Sequence, residues 1–368
     1  MDSLRAATLL ARTPSLTAEQ LRALVAATGS LEAAASIGPT VISGIELAPS
    51  TRMFLAAPDE AALDADLAWI ETSGARLVPI TSSEYPPLLA QISRGPPVLY
   101  VLGDVAALSL PQLAMVGSRS PTPNGRSTAR EFAKFFARAG LAITSGLALG
   151  IDAASHEGAL QSNGITVAVC GCGLDVMYPR QNAALAARIR EHGAVISEFP
   201  PRTPPYPAHF PQRNRIISGL SFGTLVVEAA RGSGSLITAQ HALEQGRDVF
   251  AIPGSIHNPL SRGCHQLLRE GAKLVETAAD VLSEMPNFLG RQPLASGAAA
   301  LGDSVGASHA LDTDYEILLD ALGFEPAGVD VLAARTGFPS ASVASMLLIL
   351  ELHGRIKPQA GGRYGRVL

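Results

Sequence analysis

Four short glycine turns and a few arginines are the residues of this chain best suited to chemistry, and the chemistry they suit is capture of an anion. Gly117-Ser118-Arg119, Ser145-Gly146 and Gly171-Cys172-Gly173 each close a short apolar run, and Ser233-Gly234-Ser235 opens the helical run Leu236–Leu243. Glycine turns and helix N-termini leave backbone N–H groups free to meet phosphate. Arg119 lies on the first turn, Arg180 follows Tyr178-Pro179, and Arg213-Asn214-Arg215 precede Ile216-Ile217-Ser218-Gly219. Arginine presents a planar fork to phosphate, and aromatic rings such as Tyr178, Tyr206 and Phe210 offer faces on which bases stack. The candidate phosphate-binding set is therefore Gly117, Ser118, Arg119, Ser145, Gly146, Gly173, Arg180, Arg213, Asn214, Arg215, Gly234 and Ser235.

Other chemistries are less well provided for. Neither G-x-G-x-x-G nor G-x-x-x-x-G-K-[ST] appears in a strand-to-helix context, so no dinucleotide or ATP signature accompanies the turns. Cys170 and Cys172 are too close for a zinc pair and have no second half, so neither a metal nor a cofactor is expected. Asp152, His156 and Glu157 sit together after the second turn, and Glu228 follows Gly223-Thr224. This set keeps a rival reading open, a nucleotide-phosphate-hydrolysing enzyme on a related fold, although Glu228 also suits a loop-ordering carboxylate.

These residues need a frame to position them. Between residues 113 and 252 apolar strands alternate with helices: Leu113–Val116, Leu141–Thr144, Ile165–Val169, Ala194–Ser197, Gly223–Val227 and Asp248–Ile252 are strands. Helices are expected over Ser127–Ala139, Ala153–Leu160, Ala183–Glu191, near Ile216 and over Leu236–Leu243. The pattern is that of an α/β fold, a Rossmann-like parallel sheet covered on both faces, with ligands at the carboxyl ends of the strands. Residues 1–75 read as a helical domain, in which Thr17-Ala18-Glu19-Gln20 is a capping box. Residues 76–285 form the Rossmann-like domain, whose first part, Leu77–Ile80 and Val98–Leu102, looks like a strand-bearing bridge. Residues 286–310 have linker composition. Residues 311–368 read as a winged helix: Tyr315–Leu322, Val329–Ala334, a third helix capped by Ser340, and a wing around Gly354–Lys357 and Gly361–Tyr364. The third helix carries no Arg or Lys, which favours a structural or protein-contacting role over reading duplex DNA.

Bulk properties agree with an anion site placed in the middle of the chain. The net charge is −4, but residues 113–283 hold 16 Lys and Arg against 12 Asp and Glu, while both flanks are acidic. A binding surface needs only local positive potential. Of the 28 basic residues 25 are Arg, a bias that a GC-rich genome also produces. No run of 18 uncharged apolar residues suggests a membrane span, the N-terminus lacks a secretory plan, and three cysteines form no even disulfide framework. A cytoplasmic protein is expected.

With these motifs in view, the chain resembles the DNA-processing protein A (DprA/Smf) family. The resemblance rests on Met115–Arg119, Ser145–Asp152, Gly173-Leu174-Asp175, Phe210–Ser221 and Gly234–Ala239, and runs through roughly residues 76–283. It implies a sterile-alpha-motif-like or helix-hairpin-helix N-terminal domain, a C-terminal winged helix and a non-enzymatic role. That role is binding single-stranded DNA, protecting incoming strands in natural transformation and loading the RecA recombinase. It also implies a homodimer formed through the Rossmann-like domains, near residues 236–275, and a basic pocket carried by Arg119, Arg180 and Arg213-Asn214-Arg215. His265 stands where the family usually has Asn.

Overall fold

The computed structural model describes residues 1–37, 44–284, 313–323, 325–352, 354–359 and 361–367. The expected linker 286–310 lies outside these residues. The chain divides into two compact units, Met1–Pro293 and Leu294–Leu368.

Among the described residues the first unit opens with the helices α1 (Ser3–Arg12), α2 (Ala18–Thr28), α3 (Leu31–Ala35), α4 (Pro49–Ala56) and α5 (Glu60–Ser73). The capping box forms as its residue types dictate: Gln20 N donates to Thr17 Oγ1 at 3.1 Å, and Thr17 N donates to Gln20 Oε1 at 3.0 Å. Two antiparallel strands follow, β1 (Arg76–Pro79) and β2 (Val98–Gly103). The alternating part then runs β3 (Gln112–Val116), α6 (Pro123–Arg138), β4 (Ala142–Ser145), α7 (Ile151–Gln161), β5 (Thr166–Cys170), α8 (Ala183–His192) and β6 (Gly193–Ser197). It continues through α9 (His209–Gly219), β7 (Gly223–Val226), α10 (Gly234–Glu244), β8 (Asp248–Ala251), α11 (Arg262–Arg269), β9 (Lys273–Leu274) and α12 (Ala278–Ser283).

These strands make one nine-stranded sheet in the order β1-β2-β6-β5-β4-β3-β7-β8-β9. Strands β6 to β9 pair in parallel, whereas β2 pairs antiparallel to β6. The segment that reads as a bridge in the sequence is therefore the antiparallel edge of the sheet itself. From β3 the chain winds one way through β4, β5 and β6, then crosses back to β7 on the other side of β3. That reversal is the topological switch point, where open α/β sheets leave a crevice at their carboxyl ends.

Alternation along the strands feeds two cores. Ala114 and Val116 of β3 belong to one, with Val167, Ile196, Ile216 and Ala239, while Leu113 and Met115 face Ala129, Phe136, Phe250 and Val281. The first core also takes Leu9, Leu10, Leu21, Leu24 and Leu63 of the N-terminal helices together with Val78 and Leu99. Near residue 75 the element type changes while the packing continues, so the helices and the sheet share one hydrophobic interior.

The second unit contains α13 (Thr313–Leu322), β10 (Ala327–Gly328), α14 (Val329–Thr336), α15 (Ser340–Leu352), β11 (Ile356–Gln359) and β12 (Arg363–Arg366). Leu318, Leu322, Leu332, Val343, Leu347 and Ile356 form its core, and the strands pair in the order β10-β12-β11. Three helices with a small antiparallel wing match the winged-helix expectation. No single helix among the described residues is long and apolar enough to cross a membrane.

Candidate functional site

At the switch point a cleft of about 680 Å³ opens between the turn after β3 and the N-terminus of α10. Gly117, Ser118 and Arg119 form one wall, the Ala230–Ser235 turn the opposite one, and Tyr178, Phe210 and Asn214 complete the rim.

The first wall is fixed by its backbone. Ser118 N donates to Glu228 O at 2.7 Å, and Ile151 N donates to Ser118 O at 3.1 Å. Gly150, at φ +86°, lets the chain pass so close that a Cβ there would lie 2.3 Å from Ser118 O. Glu228, nearly buried, then accepts from Thr122 N (2.9 Å) and Thr122 Oγ1 (2.6 Å), while Thr122 Oγ1 caps α6 by accepting from Gly125 N. One residue thus ties the first turn to the start of the next helix, the loop-ordering role its sequence context suggested. Arg119 projects from this turn, exposed, with its guanidinium 5.5 Å from the centroid of Phe210. Phe210 in turn meets Tyr178 at 5.4 Å, and the Tyr178 ring is 43% exposed.

On the facing wall Ser233 caps α10, and its Oγ lies 2.8 Å from Ser235 Oγ. Asn214 Nδ2 reaches across to Gly234 O at 3.2 Å. Arg231, exposed on the same turn, was not singled out from sequence, where it is one more arginine among 25. Its signal was its place two residues before the cap of α10. Neither Arg119 nor Arg231 forms an ion pair among the described residues, so the cleft has two exposed, uncompensated cations beside a helix N-terminus.

The fold sorts the remaining candidates differently from the expectation. Arg213 is 4% exposed, and its guanidinium donates to Gly146 O at 2.7 Å and to Val169 O, bracing the second turn against the end of β5. Arg215 forks onto Glu198 at 3.1 and 2.7 Å. Positions two apart on a helix point about 200° apart, so α9 cannot turn both arginines toward one cleft. Arg215 is thus held by a carboxylate, whereas Arg213 lines the cleft with its Nη1 on two carbonyls. Ser145 is buried with Oγ on Met115 O, Gly146 N donates to Asp152 at 3.1 Å, and Gly173 N donates to Thr203 O at 2.9 Å. These three support the walls from behind. Arg180 is exposed just beyond the cleft, at the start of a short 3₁₀ turn. His265 donates from Nε2 to Gly254 O at 2.9 Å and does not line the cleft.

The rival acidic set does not assemble. Asp152 lines the cleft, and burial raises its carboxyl above the usual range while Arg213 opposes the shift. His156 is fully buried, with Nδ1 donating to Thr166 Oγ1 at 2.7 Å because that hydroxyl is already committed to Ile143 O. Burial lowers its pKa to about 3. Glu157 pairs with Arg130, and Glu228 is occupied by Thr122. The thiols of Cys170 and Cys172 are pushed up to about 12 and about 11 by burial, so neither is a thiolate near neutrality. Among the described residues no group of three His, Cys, Asp or Glu could hold a metal.

Residues 76–286 match the family model described as DNA recombination-mediator protein A, and residues 303–362 match the DprA winged helix domain. The chain belongs to the DprA/Smf family. It is similar to protein Smf of Escherichia coli strain K12, with 44% identity over 87% of this chain and 84% of the relative. The DNA processing protein DprA of Bacillus subtilis strain 168 is 44% identical over 60% of this chain and 74% of its own. Among solved structures, DNA processing protein A of Streptococcus pneumoniae superposes with a TM-score of 0.66 at 38% identity, covering 77% of this chain and 99% of that one. DNA processing protein A of Helicobacter pylori, described with its single-stranded DNA binding mode, gives a TM-score of 0.53 at 27% identity. It covers 58% of this chain and 96% of that one. Family membership accounts for the Rossmann-like sheet and the winged helix together, and makes this a DNA-processing protein.

Proposed function

We propose that the chain binds single-stranded DNA in the switch-point cleft, without catalysis. Phosphates lie between the turn Gly117-Ser118-Arg119 and the N-terminus of α10 at Gly234 and Ser235, with Arg231 and Asn214 alongside; bases stack on Tyr178 and Phe210. Arg180 extends the path beyond the cleft, while Ser145, Gly146, Gly173 and Arg213 hold its walls in place. The observation that carries this reading is the juxtaposition of two uncompensated arginines with an aromatic pair, exposed Tyr178 on half-buried Phe210. Single-strand binders combine a basic groove with stacking faces in this way, because every base has a π-face and every nucleotide a phosphate. The single-stranded DNA binding mode of the Helicobacter pylori relative supports it. A hydrolytic reading finds no second carboxylate and no His, Cys or Lys beside Asp152 among the residues lining the cleft.

The cellular role that accompanies this activity is protection of incoming strands in natural transformation and delivery of RecA, by a cytoplasmic homodimer. The exposed apolar side chains Ile237, Leu243 and Leu274 at the α10–β9 edge support self-association there, and the free thiols suit a reducing compartment. A salt-dependent titration with single-stranded and duplex oligonucleotides of equal length tests the core claim. Single-strand preference with a steep salt slope is expected; equal affinity for both forms would refute it.

A further inference from the structure

We propose that α6 is a second nucleic-acid contact, a phosphate track that leads a single strand out of the cleft. The proposal rests on the single-strand reading of the cleft. Arg126, Arg130, Lys134 and Arg138 recur every four residues along this helix, and Glu131 is its one acidic residue. Residues four apart form a single slanting row on a helix surface. Each step rises about 6 Å, the same order as the separation of neighbouring phosphates along an extended strand. The row runs beside the buried line Gly125, Ala129 and Ala133, so packing holds the helix while leaving these cations at the surface.

Folding accounts only for the far end of the row, where Arg138 in the last turn suits the macrodipole. A cation early in a helix opposes the macrodipole, yet Arg126 stands at the fourth helical position and the first turn has no acidic residue. Arg130 and Lys134 meet carboxylates near the surface, half-buried Glu157 at 2.7 Å and exposed Glu131 at 3.7 Å. Such surface pairs are worth at most about 1 kcal/mol and exchange readily for other anions. Arg126 and Arg138 are exposed and have no ion pair among the described residues. Continuity with the cleft comes through Glu228, whose backbone accepts from Ser118 beside Arg119 and whose carboxylate holds Thr122 at the start of α6. A strand leaving Arg119 therefore meets Arg126 first and the rest of the row in order.

The test compares the full chain with the double variant Arg126→Ala, Arg138→Ala on two oligothymidylates, one of about 5 and one of about 20 nucleotides. Arg188→Ala, Arg190→Ala, two exposed cations on α8, is the control for loss of net charge. Each single-strand phosphate contact contributes about 0.7 to the salt slope, or about fivefold in affinity at 0.1 M salt. The α6 variant should therefore lose on the order of 25-fold on the long strand, lower its slope by about 1.4 and bind the short strand as before. Unchanged long-strand affinity overturns the track, and so does an equal loss on both lengths or an equal loss in the α8 control. If the unmodified chain binds neither oligonucleotide, the cleft reading itself fails.

Discussion

Removing the Asp66 carboxylate should loosen the wall of the cleft from the N-terminal helices. Asp66, on α5, is 0% exposed and accepts from Arg12 of α1 through Nε and Nη2, and from Nη2 of Arg202. Arg202 starts from the strained backbone position φ +65°, its N–H donates to both oxygens of Asp175, and it precedes the proline-rich stretch that brings Pro205, Pro207 and Phe210 to the cleft. Losing one partner of a buried ion pair costs about 3–5 kcal/mol. The two guanidinium groups are 19% and 46% exposed and partly recover solvation, so Asp66→Asn should cost about 2–3 kcal/mol. For a unit of this size that is roughly a 5 °C fall in Tm. Circular dichroism melts of the Asp66→Asn, Arg202→Ala and double variants form the assay, because residues sharing one carboxylate must be non-additive. A melt within 1 °C of the parent, or strictly additive losses, would refute the view that this carboxylate ties the loop down.

Four further outcomes follow from the same geometry. Arg119→Ala should weaken single-strand binding at least fivefold, about 1–3 kcal/mol, regardless of sequence and lower the salt slope by about 0.7, and Arg231→Ala should do the same; fluorescence anisotropy over a salt series reads both. Gly125→Ala would place a Cβ 2.3 Å from the Glu228 carboxyl carbon, so denaturant unfolding should show a loss of about 1–3 kcal/mol. His156 titrates near 3 when folded and near 6.5 when unfolded, so below pH 6.5 the unfolded chain takes up the proton first. Its contribution is complete above pH 6.5 and falls by roughly 1.4 kcal/mol per pH unit toward pH 3, and His156→Gln should flatten that part of the urea-midpoint profile. Cys170, Cys172 and Cys264 should resist thiol reagents at pH 8 until the chain unfolds, since all three are buried and their thiols are pushed up to about 12, 11 and 12.

The sheet was legible because period and composition carry it: Leu113–Val116 and Ile165–Val169 are apolar on both faces, which only a covered strand allows. The start of α6 was read four residues late, since its signal is Thr122 followed by Pro123 at the first helical position, and the glycine at 125 obscures it. Arg119 was legible because a residue on a turn at a strand end has one place to go, into the crevice. The turning of Arg215 onto Glu198 was not, because the sequence says nothing of which side of α9 faces the cleft until the helix is docked.

Direction on α9 also explains how a buried arginine lining the cleft can serve the proposed anion site while it braces the backbone. Arg213 fills the space a Cβ on Gly146 would need, 2.7 Å from its Nη2, and its charge opposes the burial that raises the Asp152 carboxyl. Arg213→Lys keeps the charge but not the rigid guanidinium whose Nη1 donates to both carbonyls. It should therefore lower stability more than it changes the salt slope, whereas Arg119→Lys should largely preserve both the slope and the fold. Comparing the two lysine variants by denaturant midpoint and salt titration separates the arginine that holds the site from the one that meets the ligand. A large slope change in Arg213→Lys with an unchanged midpoint would reverse that assignment.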